Sequence, residues 1–326
     1  MGERLGEFER IDRYFKPLAA RWPGALGLAD DAALLDVPAH RRLVVTTDTM
    51  VESVHYLEGT PADAVARKLL RVNLSDLAAM GAEAKAYTLS LALPRTLDTD
   101  WLAAFAEGLA ADQERYGIGL IGGDSVSTPG PPIVTATLFG EVDRGRALLR
   151  GGGREGDTVW VSGRPGEAVI GLEVARGELP GLAAEHRAAL KARYDLPEPR
   201  LALGQGLVGI ASAALDVSDG LVADLGHLCR ASRLGAIVEA ARLPRSPALA
   251  AALEAAPELE ATAIAAGDDY ELVFTAPPSA AEAVRQAGET AGVPVTAIGC
   301  LVAGEGVQVR GADGRPLDGV GGWTHF

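Results

Sequence analysis

The sequence predicts an α/β (α+β) protein of two domains, and three observations carry that reading. Short apolar runs of strand length alternate with longer segments of helical period. A chain of 326 residues exceeds the usual size of one domain, and a glycine- and arginine-rich stretch divides it near the middle. Several apolar runs end in carboxylates beside glycine, serine or threonine, at the kind of strand end where α/β sheets gather ligands. The expected layout is a domain over 1–143, a hinge over 144–156 and a second domain over 157–326.

Hydrophobic residues at 48% and charged residues at 23% describe a globular chain rather than a disordered one. The net charge of −14 excludes a general nucleic-acid surface, because a phosphate backbone needs a dense basic patch and none is present. Acidity is still compatible with an anionic ligand when carboxylates first hold divalent cations, which invert the local field. Cys229 and Cys300 are too few and too far apart for a disulfide framework or a metal knuckle. Residues 1–15 lack the apolar centre of a signal peptide, and no run approaches the length of a membrane span. A soluble cytoplasmic protein with no membrane partner is expected.

Residues 7–22 place Phe8, Ile11, Tyr14, Phe15 and Leu18 at helical spacing. Asp30 and Asp31 then precede the apolar run Ala32–Leu35, either as a turn before a strand or as carboxylates that meet a cation or backbone donors. Leu43–Thr49 reads as a strand delivering Thr46, Thr47 and Asp48, with His55 on the loop that follows. Thr60-Pro61-Ala62-Asp63 opens a helix running to about Met80, ended by Gly81. Asp76, near its end, either faces solvent or reaches back toward the cation site.

Ala86–Leu93 alternates as a half-buried strand, and Trp101–Tyr116 is a second long helix. Leu120-Ile121-Gly122-Gly123-Asp124-Ser125 is another strand end with a carboxylate, its glycine amides able to approach phosphate oxygens closely. Pro132–Glu141 adds a further strand. The glycines of the hinge do not form a Walker A loop, because Asp157, ahead of Thr158, stands where Lys is required. Strands at about 157–163, 236–239, 295–300 and 307–310 and helices at about 166–176, 182–194, 200–212 and 221–232 complete the second half. Gly267-Asp268-Asp269-Tyr270-Glu271 sits at a strand boundary, and Trp323 ends the chain as a packing plug or an aromatic wall.

Leu215-Asp216-Val217-Ser218-Asp219-Gly220 joins a buried strand to the helix at 221. It reads either as a turn with Ser218 or Asp219 as helix N-cap, or as a pair of carboxylates facing one cation. What separates the readings is recurrence. Asp31, Asp48, Asp76, Asp124, Asp216 and Asp219, supported by Thr46, Thr47 and Ser218, repeat one design of hard oxygen ligands without thiolate or histidine. That donor set suits magnesium and phosphoryl transfer.

The ordered motifs Leu43–Thr49, Val72–Gly81, Ile121–Asp124, Leu215–Gly220 and Asp269–Leu272, with Gly6-Glu7-Phe8 and the terminal aromatic-x-His-Phe, resemble the thiamine-monophosphate kinase family. The resemblance spans nearly the whole chain and implies a two-domain aminoimidazole ribonucleotide synthetase-like fold. It implies a homodimer formed through the N-terminal sheets, a site across the domain cleft, and ATP held by several Mg2+ ions. The implied reaction is ATP plus thiamine monophosphate giving ADP and thiamine diphosphate. Carried over by motif, the metal ligands are Asp31, Thr46, Thr47, Asp48, Asp76, Asp124, Asp216 and Asp219. ATP contacts are Gly123, Arg150, Ser218 and Tyr116, and substrate contacts are His55, Asp268 and Trp323. The chain departs from the family at Ala29, where glycine is usual, at Asp268, where glutamate is usual, and at Trp323, where tyrosine is usual. A ring-closing ligase of the same superfamily and a non-catalytic magnesium-nucleotide binder are the rival readings.

Overall fold

The computed structural model describes residues 7–311 and 313–317. The chain forms two compact units, Met1–Leu77 with Glu83–Arg144, and Ala78–Ala82 with Gly145–Phe326. Among the described residues no helix is long and apolar enough to cross a membrane.

In the first unit, the single helix expected over 7–22 is a helical run in three pieces: α1 (Glu7–Arg10), a wide π turn (Ile11–Phe15) and α2 (Lys16–Ala19). The wider turn precedes Pro17, which cannot donate an N–H to an α-helical ladder. A tight helical turn at Pro23–Leu28 follows. Residues 33–38 form no strand. Instead Ala33 and Leu35 pack against Ala19, Ala25, Ala86 and Ile121, while Leu34 is exposed.

β1 (Arg41–Val51), α3 (Ala62–Ala79), β2 (Glu83–Pro94), α4 (Thr99–Tyr116), β3 (Gly119–Thr128) and β4 (Ile133–Asp143) complete the unit. The sheet order is β1-β4-β2-β3, antiparallel except for the β2/β3 pair. Strand alternation divides the sheet into two faces. One face carries Val134, Ala136 and Leu138, all fully buried, and contacts the helices: a side chain on Gly140 would meet Leu77 of α3, and the Tyr87 hydroxyl donates to Gln113 of α4. On the other face, Leu43, Val45, Thr47 and Thr49 of β1 are exposed beside half-buried Thr135, Thr137 and Phe139 of β4.

The second unit is a six-stranded mixed sheet of order β10-β7-β9-β5-β8-β6. Its elements run β5 (Thr158–Ser162), α5 (Glu167–Ala175), α6 (Ala184–Asp195), α7 (Leu201–Gly206), β6 (Ala213–Asp216) and α8 (Leu221–Ser232). They continue through β7 (Gly235–Glu239), α9 (Pro247–Ala255), α10 (Glu260–Ala265), β8 (Leu272–Ala276), α11 (Ala281–Ala291), β9 (Val295–Val302) and β10 (Gly306–Arg310). The helix expected over 200–212 stops at Gly206, because Gly209 turns the backbone to φ +84°. β6 and β8 are buried along their whole length, so the sheet sits inside apolar layers that include Val161, Leu215, Leu225 and Val273 on one side and Trp160, Leu203 and Phe274 on the other.

A buried ion cluster anchors α3 to α4. Asp112, fully buried, accepts from Arg71 at 2.6 and 3.0 Å and from Arg67 at 3.1 Å. Removing one partner of a buried pair strands the other charge, which costs about 3 kcal/mol or more. Asp112→Asn is therefore expected to lower the melting temperature by roughly 6 °C or more in a thermal scan.

Candidate active site

In the first unit, β1 and the end of α3 bring three of the expected ligands together. Thr46 and Asp48 point to the same face of β1, and the Thr46 hydroxyl donates to the Asp76 carboxylate. Burial pushes Asp48 up to about 7, helped by the charge of Asp76 and a hydrogen bond with it, so the two carboxylates titrate as a pair. Such a site takes up either a proton or a hard cation.

Thr47 is turned to the opposite face by the period of two, where it donates to the Ala136 carbonyl and accepts from the Thr137 hydroxyl at 3.0 Å. Its side chain is not brought to Asp48. Asp124 lies on β3, at the far edge of the sheet. The register runs from Asp124 through Ser90 and Thr135 to Thr49, so three strand spacings, roughly 14 Å, separate it from the β1 ligands.

Asp124 instead belongs with Asp31. Both line a cavity of about 240 Å³ together with Asp30, Gly122, Gly123 and Ser125, over an apolar wall that includes Phe15 and Leu91. Each carboxylate is held locally by a neighbouring backbone group: the Ser125 amide donates to Asp124, and the Asp31 amide donates to Asp30. Gly123 is required by its neighbour strand, since a Cβ there would lie 2.1 Å from the Leu89 carbonyl oxygen. Ala29 has φ −110°, a conformation open to any residue, so no glycine is needed there for backbone freedom.

His55 sits on a tight loop after β1, its Nδ1 accepting from the Val51 amide at 3.0 Å. That bond leaves the proton on Nε2. The guanidinium groups of Arg71 and Arg115 lie 5.7 and 5.4 Å from the ring centroid of Tyr116, which is not among the residues lining the cavity.

In the second unit, Asp216 ends β6 and is buried, while Ser218 and Asp219 are half-buried. The helix cap expected from Ser218 or Asp219 is not what forms. Gly220 is the N-cap of α8, at φ +117°, and its would-be Cβ falls 1.8 Å from the Ala265 carbonyl oxygen. Asp224, one turn into the helix and buried, accepts from the amides of Asp219 at 2.9 Å and Gly220 at 3.1 Å. Burial pushes Asp224 up to about 6.

Asp224 and His227 stand beside this loop outside the expected residues, although Asp-x-x-His on the helix after the motif is the signal that places both on one face. Ligand atoms of Asp219, Asp224 and His227 lie within 4.8 Å of one another; Asp216 is not one of the three. Burial first, then Arg230 and Arg150, lowers the pKa of His227, which places Arg150 near the same loop.

This loop is joined to the acidic segment at 267–271. The amides of Asp268 and Tyr270 donate to the carbonyls of Ser218 and Val217, and the Val217 amide donates to Glu271. Asp269 is buried on the amides of Gly166 and Ala168, at 2.6 and 3.2 Å, and burial pushes it up to about 8. Burial would also raise Glu271, but its hydrogen bonds and charge pairing with Arg200, with Arg193 beside them, hold it below the usual range. Trp323 lies outside the described residues.

Comparison with known proteins gives this geometry a family. Residues 29–142 match the AIR synthase related protein, N-terminal domain, and residues 154–312 match the AIR synthase related protein, C-terminal domain, so the chain is built of two AIR synthase-related domains. A thiamine-monophosphate kinase from Caulobacter vibrioides is 43% identical over 324 residues, covering 98% of this chain and 90% of that protein. The crystal structure of thiamine-monophosphate kinase from Stenotrophomonas maltophilia superposes with a TM-score of 0.85 at 40% identity, covering 96% of this chain and 98% of that one. A structure of AaThiL complexed with AMPPCP and TMP superposes with a TM-score of 0.78 at 32% identity, covering all of both chains. The chain belongs to the thiamine-monophosphate kinase family.

The Asp48–Asp76 pair has a pH signature. Asp48 has a higher pKa folded than unfolded, so the metal-free protein loses stability as pH rises from about 4 to about 7 and carries the full penalty above 7. Asp48→Asn removes the titration. Without divalent ions the variant is expected to melt at least 3 °C above the parent at pH 8 and within 1 °C of it at pH 4, where measurable, as judged from about 2–4 °C per kcal/mol.

Proposed function

We infer that this chain transfers the γ-phosphoryl group of ATP to thiamine monophosphate, giving ADP and thiamine diphosphate. The observation that carries the reading is the full-length likeness to a structure complexed with AMPPCP and TMP. The donor chemistry is consistent with it: Asp31, Thr46, Asp48, Asp76, Asp124, Asp216 and Asp219 are hard oxygen ligands, and Asp48 and Asp76 repel one another until something positive lies between them. Those residues fit Mg2+. When bound, magnesium supplies charge neutralisation on the phosphate oxygens.

The acceptor phosphate has a second pKa of about 6 and is largely dianionic at neutral pH. One of its oxygens forms the new bond to the γ-phosphorus as the bond to the β,γ-bridging oxygen breaks, and ADP leaves with that electron pair. No proton has to move first, so no side-chain base is required. The residues of this chain bind and orient: Gly123, Arg150 and Ser218 at ATP, and the Nε2–H of His55 and the Asp268 carboxylate at the thiamine substrate. Positioning supplies the rate. The assignment of Tyr116 to ATP is part of the same proposal, as is Trp323 for the substrate.

A homodimer formed through the first sheet belongs to this reading. The open face around Val45 and Leu43 is 53% and 40% exposed at those residues, more apolar surface than a solvated strand needs. Val45→Asp on that face is expected to convert a species of twice the 33.7 kDa chain mass into a monomer by light scattering. A wild-type monomer at micromolar concentration would remove the dimer from the proposal.

Incubation with ATP, Mg2+ and thiamine monophosphate is expected to yield thiamine diphosphate by mass, with no phosphoprotein formed from labelled ATP alone. ATP binding without thiamine diphosphate formation would refute the activity. A phosphoprotein that passes its label to thiamine monophosphate would refute direct transfer.

A further inference from the structure

The turn Val217–Gly220 is pinned from two sides. The carbonyls of Val217 and Ser218 accept from the amides of Tyr270 and Asp268, while the amides of Asp219 and Gly220 donate to one oxygen, Oδ2 of Asp224, at 2.9 and 3.1 Å. Asp224 is only 3% exposed. It lies in the first turn of α8, and side chains on a helix lean toward its N-terminus, so the carboxylate comes back beneath the turn that precedes its own helix. An anionic oxygen holds such amides more strongly than a neutral one.

The consequence falls on the side chains of Ser218 and Asp219. Both are residue types that cap helices through their own oxygens, yet the cap is Gly220, and Asp224 has taken the amides of the turn. Among the described residues no hydrogen bond holds the Ser218 hydroxyl or the Asp219 carboxylate. Of the three groups clustered at Asp219, Asp224 and His227, only Asp219 is unspent. Asp224 Oδ2 is committed to the backbone. His227 Nδ1 lies 2.9 Å from the Arg230 guanidinium, which only donates, so Nδ1 accepts and the neutral ring carries its proton on Nε2. A ligating histidine is arranged the other way, giving its second ring N–H to an acceptor.

We propose that Asp224 is a positioning residue for Asp219: by holding the amides of the turn it fixes the backbone there and leaves the Asp219 carboxylate free to reach a divalent cation. This rests on the metal role inferred above for Asp219 and names the residue through which the fold sets it. Asp224 acts through the backbone and touches neither cation nor substrate. A residue that orients a metal ligand in this way governs cation affinity without being a ligand itself.

The test is a double-mutant cycle on cation affinity, which needs no turnover. Mn2+, a hard cation that stands in for Mg2+, is titrated into the full-length protein with AMPPCP present and followed by electron paramagnetic resonance. Asp219→Asn is expected to weaken one Mn2+ site about tenfold, and Asp224→Ala to weaken the same site about as much. The double variant is expected to match Asp219→Asn within a factor of about two, because residues that act through one another do not add. Asp224→Asn, whose amide oxygen still accepts from both backbone groups, is expected to stay within about threefold of the parent. If Asp224→Ala does not fold, Asp224→Asn decides: a loss as large as that of Asp219→Asn makes Asp224 a ligand and overturns the proposal. Unchanged affinity in folded Asp224→Ala overturns it, as does a double variant weaker than either single one. Asp219→Asn that binds Mn2+ as tightly as the parent overturns it too, by removing Asp219 from the metal set. The expected cycle in a parent that makes no thiamine diphosphate supports the positioning role and overturns the inferred activity alone.

Discussion

Taking a carboxylate out of water costs several kcal/mol unless something replaces its hydration. This chain answers that constraint in three ways, and the answers sort its acids by task. Asp112 and Glu271 are matched by pairs of arginines and serve the packing of helices and of the segment before β8. Asp269 and Asp224 are matched by backbone amides, and each fixes the path of a loop. Asp48 and Asp76 are set against each other, an arrangement that a proton or cation relieves. The first two kinds build the frame on which the third and the half-buried Asp219 and Asp268 are held.

That sorting explains what the sequence made legible. A strand delivering Asp48 and a helix delivering Asp76 follow from local period and spacing. The opposite orientation of Thr47 also follows from strand alternation, although its motif neighbours draw it into the same ligand set. The separation of Asp124 from Asp48 does not follow, because strand order depends on long-range pairing. The cap of α8 is hidden for a related reason: Ser218 and Asp219 are good cap residues, but an acid five positions after Asp219, buried by the fold, takes the amides first.

The residues missed, Asp224 and His227, sit inside a helix whose apolar face dominates its pattern. Their meaning depends on Asp219 folding back over the first turn. The apolar run Ala32–Leu35 shows the converse. Its composition suits a strand, yet the backbone finds no ladder, and Ala33 and Leu35 are partly buried one by one against α2 and β2. The roles proposed for Arg150 and His55 rest on the resemblance to the family, because neither periodicity nor burial marks a residue on a loop or beside β1.

The division of the chain into units is not a division of the sequence into halves. Ala78–Ala82 belong to the second unit although residues on both sides belong to the first, and Ala78 and Ala79 are buried with Leu148, Leu203 and Leu207. A gene cut at the hinge would leave the first product with two apolar residues cut off from their cluster and the second with a hole where they belong. Neither unit is a cassette that recombination can lift intact.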